Sequence, residues 1–131
     1  MSTLKTFAAC GVVALALCGV AAAQHPAPAA PQQYVYILKV RPHLHDEAKW
    51  SKKDQAATGQ HFERLKKATA AGQVILAGRS TESLDKTFGL VVFEAENEAA
   101  ARAFMEADPA VAAGVMTATL HPYSVALQRK Q

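Results

Sequence analysis

Apolar stretches of two different kinds divide the chain into predicted strands and helices. Runs rich in β-branched and aromatic residues predict strands at residues 34–40, 74–77, 88–93 and 115–127. The second and third runs are apolar at nearly every position, so we expect both faces of the sheet to be covered. Pro122 in the last run favours an edge position or a bulge for that strand, because proline cannot donate a ladder hydrogen bond.

Capping signals define the first predicted helix, at residues 52–71. Ser51 stands three residues before Asp54, the spacing of a capping box, and Gly72 follows the last apolar position. The helix carries an apolar stripe that includes Leu65. These signals predict a helix of several turns that packs one side against the sheet.

The second predicted helix, at residues 98–107, begins after Asn97 and ends at the dipeptide Asp108-Pro109. A residue before proline is biased out of the helical region, so we place Asp108 at the C-terminal boundary of this helix. The helix dipole is negative at that end, so a carboxylate gains nothing from it there. Asp108 is therefore either a solvated turn residue or a side chain that needs a specific partner.

The order strand, helix, strand, strand, helix, strand is typical of a ferredoxin-like α+β fold with a four-stranded antiparallel sheet. Helices can cover only one face of such a sheet. The apolar pattern requires a cover for the other face, and a second copy of the same sheet would supply it. We therefore expect a two-fold homodimer with the sheets packed face to face.

The first 23 residues have the features of a secretory signal peptide. Lys5 precedes an apolar run, and the run ends in Ala21-Ala22-Ala23. A Pro/Ala-rich linker at residues 24–33 follows, and then a domain at residues 34–128. This organisation predicts a periplasmic or secreted protein that keeps no stable membrane anchor after processing.

Charge and cysteine content narrow the possible functions of the mature chain. Lys plus Arg number 14 and Asp plus Glu 11; removal of Lys5 leaves 13 minus 11, a net charge of +2, which is too balanced to favour nucleic acid as a partner. Both cysteines lie in the signal segment, so the domain has no disulfide. We interpret the basic cluster at the first helix as a solvated face; its members are Lys49, Lys52, Lys53, Arg64, Lys66 and Lys67.

His61 is the candidate for chemistry on the first helix. It shares a side of that helix with Ala57, Leu65 and Ala68, so we expect the imidazole to point at least half inward. The two helices lie side by side on one face of this fold. His61 and Asp108 are therefore candidates to meet, although a histidine in this position is also compatible with a purely structural role.

The segments around these residues resemble the YCII-related domain family. The resemblance is carried by residues 59–65, 71–78 and 107–115, of which the Asp108-Pro109 dipeptide followed by Gly114 is the most specific. It implies a fold of the dimeric α/β-barrel superfamily and a histidine and aspartate dyad, here His61 and Asp108. One member of that family is a dehydrochlorinase of chlorinated hydroxyquinols, and most members have no established reaction.

Together these observations predict a small-molecule site built on His61 and Asp108. In our hypothesis Asp108 accepts a hydrogen bond from one imidazole nitrogen, and the other nitrogen acts as general base or acid. Arg79, Tyr34 and Tyr36 are the candidate substrate-binding residues. The expected chemistry is elimination or isomerisation of a small cyclic or phenolic compound, and the alternatives are a non-catalytic ligand-binding module or a dimeric accessory protein.

Metal and cofactor sites have weaker support in the sequence. A metal site here would use the imidazoles of His43 and His45, which lie on one side only if their segment is extended. The acidic residues Asp46 and Glu47 follow them, and His121 would be a third ligand. A solvated loop is the favoured interpretation, so we predict no metal site. The chain has no glycine-rich phosphate loop, and we predict no cofactor.

Overall fold

The computed structural model describes residues 30–129, which form one α+β unit. Its elements are β1 (Gln32–Val40), two 3-10 turns (Pro42–Leu44 and Glu47–Lys49), α1 (Lys52–Ala70), β2 (Val74–Arg79), β3 (Gly89–Ala95), α2 (Glu98–Glu106), α3 (Pro109–Ala112) and β4 (Met116–Pro122). The predicted ferredoxin-like order of strands and helices is confirmed. The predicted signal peptide lies outside the described residues, as does most of the predicted linker.

The four strands form one antiparallel sheet in the order β2-β3-β1-β4. β1 lies in the interior, between β3 and β4. β4 is an edge strand, one of the two positions that Pro122 favours, and its Pro122 is opposite Tyr34. Within residues 30–129, no helix is both long and apolar enough to cross a membrane.

The ends of the helices follow the capping signals. Ser51 and Asp54 form both hydrogen bonds of a capping box at the start of α1. Asn97 accepts a hydrogen bond from the backbone of Ala100 at the start of α2. Gly72, just after α1, has φ of +81°, a conformation that favours glycine. These local signals explain why the predicted helix bounds agree closely with the observed ones.

The predicted strands β1, β2 and β3 each differ from the observed ones by one or two residues at an end, and two larger differences lie near the C-terminal end of the domain. β4 ends at Pro122 rather than near residue 127, and the following Tyr123 still donates its backbone N–H to Gln33 O at 3.0 Å. The short helix α3, which begins directly after Asp108, is absent from the prediction. Its presence makes Asp108 a helix-starting residue as well as the residue that follows α2.

The core lies between the sheet and the helices and is rich in aromatic rings. Tyr36 and Phe93 are both 0% exposed, and their ring centroids are 5.6 Å apart. Phe104 of α2 stacks on Phe93 with a centroid distance of 4.8 Å. Leu65 of α1 is buried in the same cluster. Aromatic packing therefore holds the middle of β1 in a fixed position below both long helices.

On the opposite face of the sheet, β1, β2 and β3 contribute apolar side chains that belong to neither of the buried clusters that include helix residues. The edge strand β4 places Thr119 and His121 on this face, beside Ile37 and Val35. The register places Val35 opposite Val92 and Ile37 opposite Leu90 on this face, and Leu76 of β2 is opposite Val92. The side chain of Leu76 is 57% exposed. We call this surface, formed by Val35, Ile37, Leu76, Leu90 and Val92, the open sheet face; Val35 and Val92 at its centre are buried, and Leu76 at the β2 edge is its exposed member.

Replacement of Phe93 by alanine should destabilise the fold strongly. The ring is fully buried, and its removal leaves a cavity, so we expect a loss of about 3 to 5 kcal/mol in the free energy of unfolding. Phe62→Ala is the matched control because the Phe62 side chain is 63% exposed. Urea denaturation of both variants measures the difference, and equal losses would contradict this description of the core.

Candidate functional site

Asp108 is held at the junction of α2 and α3. Its backbone is extended, with φ of −62° and ψ of 125°, as expected for a residue before proline. The carboxylate caps α3, since Oδ1 accepts a hydrogen bond from Ala110 N at 3.0 Å. Pro109 occupies the first helical turn, where its missing N–H costs nothing. The dipeptide therefore ends one helix and starts the next, and it fixes the direction of the Asp108 side chain.

His61 and Asp108 lie in direct contact. The distance from His61 Nδ1 to each carboxylate oxygen is 2.8 Å. The Asp108 side chain is 0% exposed and the His61 side chain is 15% exposed. The contact joins the middle of α1 to the start of α3, which are separated by 47 positions in the chain. The fold thus brings together the two residues that the sequence proposes as a dyad.

Tyr36 is the third member of this cluster. Its hydroxyl donates a hydrogen bond to Asp108 Oδ2 at 2.8 Å. The carboxylate therefore has a neighbouring donor on each of three elements: Tyr36 on β1, His61 on α1 and Ala110 N on α3. Of the three candidate substrate-binding residues, Tyr36 is the one that reaches Asp108.

The hydrogen bonds determine which nitrogen of His61 is available. An ionised carboxylate can only accept, so Nδ1 must carry the proton in its contact with Asp108. In the neutral imidazole, Nε2 is then an acceptor with a free lone pair. Because part of the His61 side chain reaches the surface, this arrangement supplies a proton acceptor that is oriented by a buried carboxylate.

Electrostatic effects favour the ionised form of Asp108. Burial alone would raise the pKa of its carboxyl group, but the hydrogen bond and charge of His61, with the hydrogen bonds from Tyr36 and Ala110, lower it below the usual value. The Tyr36 phenol behaves in the opposite way. Burial and the adjacent carboxylate raise its pKa well above the usual value, so Tyr36 stays protonated and remains a donor.

Arg64 belongs to the same region, and the sequence analysis missed it. The basic pattern of α1 predicts a solvated Arg64, but its Nη2 donates to Phe104 O at 2.8 Å and its guanidinium lies 4.1 Å from the centroid of the Phe104 ring. Its position three residues after His61 on α1 is the signal that could have identified it, because residues at that spacing share a helix face.

Tyr34 and Arg79 lie away from the dyad. The Tyr34 hydroxyl donates to Gln32 Oε1 at 2.8 Å, and Tyr34 borders a shallow concavity of about 540 Å³ beside Tyr123. Arg79 is exposed at the end of β2 and borders a second concavity of about 320 Å³ with Leu76. Within residues 30–129, neither side chain forms a hydrogen bond or ion pair with His61 or Asp108.

The segment with His43 and His45 does not adopt the extended form that a metal site would need. It forms two short 3-10 turns, and a ring nitrogen of His45 lies 3.0 Å from Val40 O. Asp46 instead caps the second turn through Ala48 N. In the part of the chain that the structure describes, no three histidine, cysteine or acidic side chains are grouped as metal ligands.

The family model described as YCII-related domain matches residues 33–120. A solved structure that resembles this chain is 5-chloro-2-hydroxyhydroquinone dehydrochlorinase from Burkholderia phenoliruptrix AC1100 in complex with 2,5-dihydroxybenzoquinone. Its TM-score is 0.48 with 18% sequence identity, and the match covers 70% of this chain and 93% of that chain. Among curated proteins, none matches this chain.

The lowered pKa of Asp108 predicts a pH-dependent contribution to stability. This contribution is fully present above the ordinary aspartate pKa of about 3.9 and is lost as the pH falls through the lower pKa of the folded state. We expect Asp108→Asn to reduce the free energy of unfolding at pH 7 by about 1.5 to 3 kcal/mol, the range for hydrogen bonds to a charged group. The difference in the free energy of unfolding between this variant and the wild type should be smaller at pH 3.

Urea denaturation at pH 7, 5 and 3 measures this effect. Glu106→Gln is the matched control. Glu106 is exposed near the end of α2, so this substitution removes a carboxylate charge at almost the same place in the chain without removing a buried group. A difference between wild type and Asp108→Asn that is constant from pH 7 to pH 3 would contradict an ionised, hydrogen-bonded Asp108.

Proposed function

Because this chain belongs to the YCII-related domain family, we propose that it binds a small molecule at His61 and that the His61–Asp108 pair transfers a proton to or from it. The observation that carries the proposal is the buried Asp108 carboxylate, 2.8 Å from His61 Nδ1. A charge at 0% exposure costs stability unless it is paired. The use of this buried carboxylate to orient a partly exposed imidazole supports a catalytic role for the pair.

The reaction that fits best is a base-assisted elimination or isomerisation. His61 Nε2 accepts a proton from the substrate. In an elimination, the electron pair left behind expels a leaving group; in an isomerisation, the pair moves within the ring system and His61 returns the proton at another position. Asp108 stabilises the imidazolium that forms, as an adjacent carboxylate does. Small cyclic or phenolic compounds are the proposed substrates, since their acidic hydroxyl or ring protons suit a base of this kind.

A non-catalytic ligand-binding module is the second candidate. Neither of the two concavities described above is lined by His61 or Asp108. In this alternative the hydrogen bonds of Asp108 serve only to satisfy a buried polar group, and ligands occupy a surface elsewhere. Measurement of binding and turnover in the same variant separates the two candidates.

We also propose that the active form is a homodimer. The open sheet face exposes Leu76, and the neighbouring Phe88 is 39% exposed. These apolar side chains lie together along one concavity at the β2 edge. Contiguous exposed apolar surface of this kind is typical of association sites, and a second copy would cover it with an identical surface.

The proposed location is the periplasm or the exterior of the cell. It rests on the apolar run and the Ala21-Ala22-Ala23 segment of the sequence. Cleavage there would release residues 24–131 without the membrane-directed segment. The intact mass of the protein recovered from cell fractions tests the proposal, and recovery of the full-length chain from the cytoplasm would contradict it.

His61→Gln should abolish proton transfer with little effect on ligand binding. Loss of a general base typically lowers turnover by about 10²- to 10⁴-fold. A panel of halogenated hydroquinones and hydroxyquinols tests turnover, and calorimetry with 2,5-dihydroxybenzoquinone tests binding. His43→Gln is the control, because His43 is an exposed histidine in the first 3-10 turn. If His61→Gln matches wild type in both assays, the proposed site is wrong; binding without turnover in the wild type would favour the binding module.

Leu76→Arg should convert the proposed dimer into monomers. A charge in the open sheet face would be desolvated in the dimer but solvated in the monomer, where Leu76 is already 57% exposed. Phe62→Arg is the control on α1, at a similarly exposed apolar residue. Sedimentation at micromolar concentration measures the oligomeric state of each protein. A wild-type protein that is monomeric would contradict the proposed homodimer.

A further inference from the structure

β4 has one free edge in the part of the chain that the structure describes. The strand order places β4 beside β1 and beside no other strand. A free edge exposes backbone N–H and C=O groups that another strand can pair with, and proteins commonly protect such edges with charges, bulges or proline. The degree of protection therefore shows whether an edge is open to a partner.

The two edge strands of the sheet differ in this protection. β2 has an interruption in its register with β3, between Val74 and Leu76, and it ends in the charged Arg79. β4 keeps an unbroken register with β1 from Met116 to Pro122, and it contains no Lys, Arg, Asp or Glu. Pro122, at the very end, is its one protective residue. β4 is thus an open template for strand pairing.

Hydrogen bonds at both ends of the β1–β4 ladder fix which backbone groups face outward. Arg41 N donates to Val115 O at 3.1 Å at one end. Tyr123 N donates to Gln33 O at 3.0 Å at the other end. Inward and outward positions alternate in an antiparallel pair, so the odd-numbered residues from 115 to 123 bond to β1. Three residues therefore point both their N–H and their C=O away from the sheet: Met116, Ala118 and Leu120.

The side chains of β4 also suit a neighbouring strand. Thr117 and Thr119 are exposed, on the same side of the sheet as the open sheet face. The side chains between and beside them pack against the core cluster below the helices, and these are Met116, Ala118 and Leu120. A strand placed along this edge would meet threonines on one side and apolar groups on the other, and no charge would be buried.

We propose that β4 pairs with β4 of a second copy of this chain, antiparallel and across a two-fold axis at Ala118, so that the two sheets continue into one. In this register Met116 lies opposite Leu120 of the second copy, and the two Ala118 residues face each other. Each outward N–H then meets an outward C=O, because the members of a hydrogen-bonded pair exchange both bonds. The contact does not depend on the His61–Asp108 pair, and it is separate from the open sheet face.

The backbone of β4 selects this register over its neighbours. A slip by one residue would set outward groups against inward ones and exchange the two faces. A slip by two residues in one direction would bring Pro122 into the ladder, where it has no N–H to donate. The same slip in the other direction would use Gly114, which has φ of +74° and lies outside β4. With Ala118 on the axis, Thr117 lies opposite Thr119 of the second copy, a favourable cross-strand pair.

The edge contact is expected to be weaker than the proposed sheet-face dimer. A single strand edge buries less surface than the roughly 1,200 to 2,000 Å² of a standard stable interface. The protein at micromolar concentration should therefore still be the sheet-face dimer. Edge pairing should join such dimers only at submillimolar concentration.

Amide hydrogen exchange, measured by NMR at micromolar and at submillimolar concentration, tests the contact. We expect exchange at the three outward amides of β4 to become several-fold slower at the higher concentration, because they gain hydrogen bonds. The outward amides of the β2 edge, at Ala77 and Arg79, are the control and should be unchanged. Their position follows from the bond of Ser80 N to Phe88 O, which makes the even-numbered residues of β2 the inward ones. Exchange in the wild type that does not depend on concentration would overturn the proposal.

The register has its own test in a mixture of labelled and unlabelled protein. The Hα atoms of Thr117 and of Thr119 in the second copy should be in direct contact, and an isotope-filtered NOE detects this. Within one strand the same two residues are about 7 Å apart, so the signal is specific to the pair. Association without this NOE would place the contact on another surface and overturn the proposal.

Ala118→Pro should abolish the slow exchange and the NOE. It removes the central outward N–H, which makes no bond within the sheet, so the fold should be retained. Ala118→Val is the matched control, because it keeps the N–H. Should Ala118→Pro fail to fold, Thr119→Lys replaces it, since a lysine on an edge strand opposes pairing. Unchanged association in the folded variant would overturn the proposal.

Leu76→Arg separates the edge contact from the proposed sheet-face dimer. Leu76 lies on β2, at the opposite edge of the sheet from β4. This variant should lose the dimer at micromolar concentration and still show slow exchange at Ala118 at submillimolar concentration. If it loses both, association occurs only through the open sheet face, and the edge contact is overturned while the sheet-face dimer stands.

Discussion

The burial of one carboxylate is the constraint on which the rest of this structure depends. Asp108 is 0% exposed, and a charge in that environment is tolerated only with several donors around it. The donors come from three separate elements: Tyr36 on β1, His61 on α1 and the backbone of Ala110 on α3. The same hydrogen bonds that satisfy the charge therefore also fix how the helices sit on the sheet.

The two faces of the sheet have different roles in this account. The covered face carries the aromatic rings of Tyr36, Phe93 and Phe104, and these hold the polar cluster in a rigid setting. A preorganised setting matters because an orienting carboxylate is useful only when its partner imidazole cannot turn away. The open sheet face has Val35 and Val92 opposite each other at its centre, and in our proposal it is the face that associates with a second copy.

Local signals explain how much of the fold could be predicted from the sequence. The capping residues Ser51, Asp54 and Asn97 act within one turn, so the helix starts were predictable. The structural role of Asp108-Pro109 was harder to predict, because the same dipeptide both ends α2 and starts α3. The sequence showed only the first of these functions.

The candidate site was predictable only in part, because its residues come from distant parts of the chain. The fold and the family resemblance together placed His61 near Asp108. Arg64 was missed because it stands among lysines that are solvated, and its stacking on Phe104 requires knowledge of how α1 and α2 pack. Tyr34 and Tyr36 were not distinguishable from the strand pattern, since both face the helices and only one of them reaches the carboxylate.

The most direct test of the central claim is to determine which ring nitrogen of His61 carries the proton in the wild-type protein when the imidazole is neutral. Ring ¹⁵N NMR of the histidine-labelled protein distinguishes the two forms. The account predicts the Nδ1–H form, with Nε2 as the free acceptor, because Nδ1 lies 2.8 Å from a carboxylate that can only accept. A predominant Nε2–H form would show that Asp108 does not orient His61 and would contradict the account.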